Sequence, residues 1–158
     1  MGSPVLVVFL TGTVLAILHS TNALSDDNKE KIKQDMVPIV MECAKEQEIN
    51  PEDLKELKGA KTLPEDKDMM MPCFFACTFQ KNGMMDDNGM FLPEATIKNG
   101  KKYAENEEEE KKMEEIAKAC APVNDESVSG DKQKCQRASL LYACLAEQAE
   151  KHNIKMHE

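Results

Sequence analysis

The chain is poor in histidine and aromatic residues, and it has fewer basic than acidic side chains. It has no tryptophan, two tyrosines and three histidines, and its 29 acidic side chains outnumber 20 basic ones. Two of the histidines, His152 and His157, lie in the polar end of the chain, so no Ser-His or Cys-His arrangement for catalysis is predicted. The net charge of −9 disfavours nucleic acid as a partner, because nucleic acids recruit lysine and arginine. We therefore predict neither an enzyme nor a nucleic-acid-binding protein.

Only one long apolar run is present, at residues 5–18. It precedes a Thr-Asn-Ala triplet at 21–23 that is typical of a signal-peptidase site. This pattern predicts a signal peptide at 1–23, followed by one secreted domain at 24–158 whose last part, 145–158, includes a C-terminal tail. The alternative is a signal anchor, but the run is shorter than the ~20 residues that a spanning helix needs.

Six cysteines give the most informative spacing in the chain. They leave gaps of 29, 3, 42, 14 and 8 residues, beginning at Cys43. An even number behind an apolar leader predicts a disulfide framework. Cys73 and Cys77 lack the second pair of ligands that a zinc site needs, so no metal ion or cofactor is predicted. Cys135 and Cys144 would lie ~13 Å apart along one helix, too far to bridge each other. Excluding the pairs Cys73–Cys77 and Cys135–Cys144 leaves 10 of 15 pairings open.

Apolar residues recur at helical spacing along the mature chain, with no alternating strand pattern. This periodicity predicts an all-α domain of about six helices. The predicted elements are a first helix from Asp26 that contains Pro38, a short helix from Asn50 to Gly59, a central helix over 69–79, a shorter helix from Leu92 to about Ala104, a helix capped at Asn106 and stopped at Pro122, and a last helix from Asp131.

The two short cysteine gaps, in an acidic helical chain behind a leader, make the sequence similar to a known family. A helix with three residues between two cysteines, and a last helix with eight between two more, resemble the six-cysteine insect odorant-binding proteins, the pheromone and general odorant-binding protein family. The resemblance spans the mature chain. It implies three interlocked disulfides around an apolar cavity, with the pairs Cys43–Cys77, Cys73–Cys135 and Cys120–Cys144.

The resemblance also implies a function. It suggests a secreted carrier, monomer or homodimer, that reversibly binds small hydrophobic molecules such as odorants or pheromones. The carrier would transport them to chemosensory receptors and release them at a receptor or membrane surface. The alternative is a non-sensory secreted helical protein on the same scaffold, either a scavenger of hydrophobic ligands or an interaction protein.

Candidate residues for the cavity wall follow from the apolar faces of the helices. A methionine-rich composition adapts to differently shaped apolar guests, although apolar residues at helical spacing also form solid cores. Tyr142 is of interest because a buried phenol needs a hydrogen-bond partner, and a ligand oxygen can be one. The candidates are Met69, Met70, Phe74, Phe75, Phe79, Met90, Phe91, Met113, Ile116, Leu141 and Tyr142.

Two interpretations of the last residues remain open. We favour a disordered tail with solvated histidines. The alternative is a lid over the cavity, with Ile154 and Met156 directed inward. His152 and His157 would then gain charge below a pH of about 6.5 and loosen the lid.

Overall fold

Helical periodicity in the sequence corresponds to α-helices in the computed structural model, which describes residues 26–50, 52 and 70–154. Five helices lie within this part of the chain, and a 3₁₀ turn at Ala121–Asn124 follows the fourth. They are α1 Asp26–Glu46, α2 Met70–Lys81, α3 Pro93–Lys101, α4 Glu107–Cys120 and α5 Gln133–Lys151.

The predicted all-α class is confirmed for this part of the chain. The described residues form no strand, and one isolated antiparallel bridge joins Met85 to Phe91. None of the described helices is both long enough and apolar enough to cross a bilayer. The predicted signal peptide lies outside the described residues, as does the predicted 50–59 helix apart from Asn50 and Glu52.

Helix boundaries differ slightly from the predicted ones. The α3 helix ends at Lys101, where a continuation to Ala104 was predicted, because Tyr103 and Ala104 turn back to donate to the carbonyls of Gly100 and Lys101. The α5 helix begins at Gln133 and not at Asp131. The predicted cap of α4 is present: Asn106 accepts a hydrogen bond from the Glu109 N–H at 3.0 Å.

Three helices end in the same hydrogen-bonded turn, the Schellman motif. A residue with positive φ follows the helix: Glu48 (53°) after α1, Gly83 (72°) after α2 and Asn153 (55°) after α5. The next residue then donates its N–H back to a carbonyl of the last helical turn. These residues are Ile49, Met84 and Ile154, which donate to Ala44, Phe79 and Ala149 at 2.9, 2.8 and 2.8 Å. Each motif therefore turns an apolar side chain back toward its own helix.

The core lies around α2, which packs against α5 and also against α1. Its first turn accommodates Pro72, because the first N–H groups of a helix have no intrahelical partner. Met71, Phe74, Phe75 and Ala76 are buried from this helix. The α3 helix packs on α4 and buries no residue fully.

Three disulfides connect these helices. Cys43 of α1 is joined to Cys77 of α2, and Cys73 of α2 to Cys135 of α5. Cys120, at the end of α4, is joined to Cys144 of α5. This is the pairing that the family resemblance implies, and none of the six cysteines is free.

Two polar side chains form hydrogen bonds that hold the loops against the disulfide-linked helices. Asn124 pairs with both main-chain groups of Phe91, accepting from its N–H at 2.8 Å and donating to its carbonyl at 2.9 Å. Arg137 of α5 is buried and donates to the carbonyls of Val123, Asn124 and Glu126. The loop after α4 is thus held against both α5 and the loop that precedes α3.

Candidate ligand-binding site

A cavity of about 390 Å³ lies between α1, α2, α4 and α5. Helical spacing brings its wall together, since residues three or four apart share a face of a helix. Its eleven lining residues are Met36, Val40, Phe74, Phe75, Thr78, Phe79, Ile116, Tyr142, Leu145, Ala149 and Ile154. We call this space the large cavity.

The wall of the large cavity is apolar apart from two hydroxyl groups. Thr78 is buried, and its hydroxyl donates to the Phe75 carbonyl of its own helix at 2.9 Å. Burial raises the pKa of the Tyr142 phenol, so this group is neutral at physiological pH. The large cavity is therefore an uncharged environment suited to an apolar guest.

Aromatic rings form one side of the large cavity. The Phe75 ring stacks on Tyr142, with centroids 4.2 Å apart and planes inclined by 22°. It also contacts Phe74 edge to face at 5.6 Å and Phe79 at 6.1 Å. Phe75 therefore joins the α2 wall to the α5 wall, and such ring pairs contribute ~0.5–1.5 kcal/mol beyond the burial of their surface.

A second cavity, of about 110 Å³, lies beside the large one; we call it the small cavity. Ile154 lines both. The small cavity is lined by Ile32, Tyr103, Glu109, Lys112, Met113, His152 and Ile154.

Charged groups at the small cavity face neighbouring groups of the protein. Lys112 forms an ion pair with Glu108 at 2.8 Å, and a carboxylate oxygen of Glu109 accepts the Glu105 N–H at 2.8 Å. His152 Nδ1 lies 3.9 Å from a carboxylate oxygen of Glu115. The small cavity thus combines apolar side chains with a polar boundary, unlike the large cavity.

Residues 152–154 form the hydrogen-bonded cap of α5, and the disordered tail stays a prediction for the residues that follow. Asn153 takes the left-handed conformation, and Ile154 is half-buried against the two cavities. The inward direction proposed for Ile154 agrees with this position. Met156 and His157 lie outside the described residues.

The predicted lining residues separate into five groups. Phe74, Phe75, Phe79, Ile116 and Tyr142 come together on the large cavity, and Met113 lines the small one. Phe91 and Leu141 are 1% and 0% exposed in the solid core and line neither cavity. Met90 is half-buried in a loop and lines neither cavity. Met69 and the side chain of Met70 lie outside the described residues.

The list of candidate lining residues omitted α1 and the end of α5, although the lid alternative directed Ile154 inward. Ile32, Met36 and Val40 repeat every four residues on α1, and that spacing was a usable signal. The position of Ile154 depends on Asn153 adopting positive φ, for which Asn is the most suitable residue after glycine.

One group of side chains has the spacing of a metal site but not its chemistry. The sulfurs of Cys43 and Cys77 and a carboxylate oxygen of Glu46 lie within 4.8 Å of one another. Both sulfurs are joined in a disulfide, whereas zinc binds the free thiolate. We do not assign a metal to this group.

Comparisons with known proteins agree on one fold. The model of the PBP/GOBP family matches residues 25–148. Among solved structures, odorant-binding protein dmelOBP28a from Drosophila melanogaster is similar with a TM-score of 0.61 and 24% sequence identity, over 81% of this chain and 99% of that chain. A search of curated proteins finds no match.

Proposed function

Because the chain belongs to the PBP/GOBP family, we propose that it is a carrier that reversibly binds small apolar molecules, such as odorants or pheromones, in the large cavity. The observation that carries this proposal is the apolar, uncharged wall of the large cavity. None of the described residues that line it is a histidine, a carboxylate or a free thiol, and such a wall suits binding better than catalysis.

The size of the large cavity supports a ligand of modest size. Its volume of about 390 Å³ lies toward the lower end of the ~300–1,000 Å³ that small-molecule pockets occupy. Burial of apolar ligand surface contributes ~25 cal/mol per Å², offset by the cost of immobilising the ligand. We expect micromolar affinity, equivalent to about 8 kcal/mol.

Secretion and delivery to chemosensory receptors are part of the same proposal. Three disulfides form and persist in oxidising, extracellular compartments, which supports secretion behind the predicted leader at 1–23. A high net negative charge keeps a protein soluble at high concentration, as a carrier in an extracellular fluid requires.

A substitution that places a large side chain in the large cavity tests the proposal. Ala149 is buried on the wall, whereas Ala143 lies on the exposed face of the same helix. A neutral naphthylamine dye should saturate the wild-type protein at one site per chain. Ala149→Trp should weaken dye binding at least ~10-fold, a loss of ~1.4 kcal/mol, because the indole occupies the space of the dye.

Ala143→Trp is the matched control and should bind the dye as the wild type does. Circular dichroism of both variants checks that the helices remain. Absence of saturable binding in the wild type, or equal binding by the two variants, would contradict the proposed site.

A further inference from the structure

Two helices run past both cavities in the same order. On α1, Ile32 lines the small cavity, and Met36, one turn later, lines the large one. On α4, Met113 lines the small cavity and Ile116 the large one. Four residues of helix rise about 6 Å, so the two cavities are neighbours separated by roughly one helical turn. The side chain that lines both is Ile154.

The backbone of Ile154 is held in place by the cap of α5. Its N–H donates to the Ala149 carbonyl at 2.8 Å, and the Asn153 N–H donates to the Glu150 carbonyl at 3.0 Å. Both bonds define a Schellman motif, in which the apolar residue after the turn packs on the last helical turn. Ala149, whose carbonyl accepts the hydrogen bond from Ile154, also lines the large cavity.

From this arrangement we infer that Ile154 is a specificity-determining residue, a partition that limits the length of ligand the large cavity accepts. The inference rests on the proposed carrier function. With the isoleucine in place, an apolar chain ends against it. With the side chain shortened, the chain extends between α1 and α4 to the apolar surface of Ile32 and Met113.

The experiment measures displacement of the dye by straight-chain primary alcohols of increasing length. Each further buried methylene should tighten binding about fourfold until the chain meets the partition, after which the gain stops. In Ile154→Ala the gain should continue for about two more carbon atoms, because the variant removes three carbons and opens the small cavity.

Leu145→Ala is the matched control, since it removes the same number of carbon atoms from the wall of the large cavity but does not touch the small one. Its length limit should shift less than that of Ile154→Ala. Met113 lines only the small cavity, so adding Met113→Phe to Ile154→Ala should restore the shorter limit. Ile154→Val, which removes one methylene, gives a smaller shift if the alanine variant does not fold.

The outcomes separate the two proposals. If no alcohol displaces the dye from the wild type and no dye saturates, the carrier function fails. If the wild type shows a length limit, but Ile154→Ala shifts it no further than Leu145→Ala, or Met113→Phe does not reverse the shift, the partition is wrong and the carrier function stands.

Discussion

At the scale of single residues, Asn124 uses both the oxygen and the nitrogen of its side-chain amide. Its oxygen accepts from the Phe91 N–H and its nitrogen donates to the Phe91 carbonyl. Asn124→Asp keeps the acceptor but places a carboxylate oxygen against that carbonyl. We expect a loss of ~1–3 kcal/mol in the free energy of unfolding, measured by urea titration at pH 7 with the disulfides intact.

Asn106→Asp is the control for this prediction. At the start of α4 the side chain only accepts a hydrogen bond, and Asp is as good an N-cap as Asn. The unfolding free energy should therefore change little. An equal loss in both variants would show that added negative charge, and not the lost donor, is responsible.

Asp35 provides a pH-dependent contact between α1 and the turn after α3. The Tyr103 hydroxyl donates to its carboxylate at 2.7 Å and Lys102 at 3.1 Å, and these hydrogen bonds, Tyr103 first, hold the pKa of Asp35 below its usual range. A carboxyl whose pKa is lowered on folding stabilises the fold above its unfolded pKa. This contribution is lost as the pH falls through the lowered value.

Removing the phenol should therefore change the titration of Asp35. In Tyr103→Phe we expect the pKa of Asp35 to rise toward its ordinary value, because the larger of the two hydrogen bonds is gone. Carboxyl-carbon NMR between pH 2 and about 6 measures the change. An unaltered Asp35 titration would mean that Lys102 and Lys31, and not the phenol, lower the pKa of this carboxyl.

At the scale of helices, a glycine substitution at a position of positive φ tests how much the turn after a helix contributes to stability. Glu48 is exposed and has φ of 53°, where glycine is preferred. Glu48→Gly should raise the unfolding free energy by ~0.5–1 kcal/mol. Glu30→Gly, an exposed position within α1, should lower it by a similar amount because glycine weakens a helix interior. Thermal unfolding of both variants measures the difference, and two losses would contradict the prediction.

The helices were predictable from sequence because helical periodicity and caps depend on residues that are close together along the chain. The apolar repeats give α1, α2, α4 and α5, and the Asn106 cap is read from residues three apart. Glu48 at positive φ was not predictable, since glutamate does not mark such a turn, and Asn153 carried only the weaker signal of an asparagine after a helix.

The candidate site was predictable only in part for a related reason. Periodicity shows which side of a helix is apolar, but not whether that side meets another side chain or a cavity. Phe75 and Tyr142 face the large cavity, whereas Phe91 and Leu141, equally apolar in pattern, fill the core. That difference depends on how distant helices pack.

At the scale of the molecule, the disulfides should differ in what they contribute to stability. In the chain-entropy model the contribution grows with the length of the closed loop. The Cys73–Cys135 bridge spans 62 residues and the Cys120–Cys144 bridge 24. Replacing both cysteines of the longer bridge by serine should cost ~0.8 kcal/mol more than replacing the shorter pair, within ~2–5 kcal/mol for each bridge. Urea unfolding measures both; a larger loss for the shorter bridge would contradict the entropic order.

The overlap of the three bridges also determines what a protease can release. The first loop, 43–77, contains Cys73, and the second, 73–135, contains Cys120, so every peptide bond between Cys43 and Cys144 lies inside at least one loop. One cut anywhere in that interval leaves both pieces covalently joined. A nicked molecule would therefore keep its size on a non-reducing gel and separate into two fragments only after reduction.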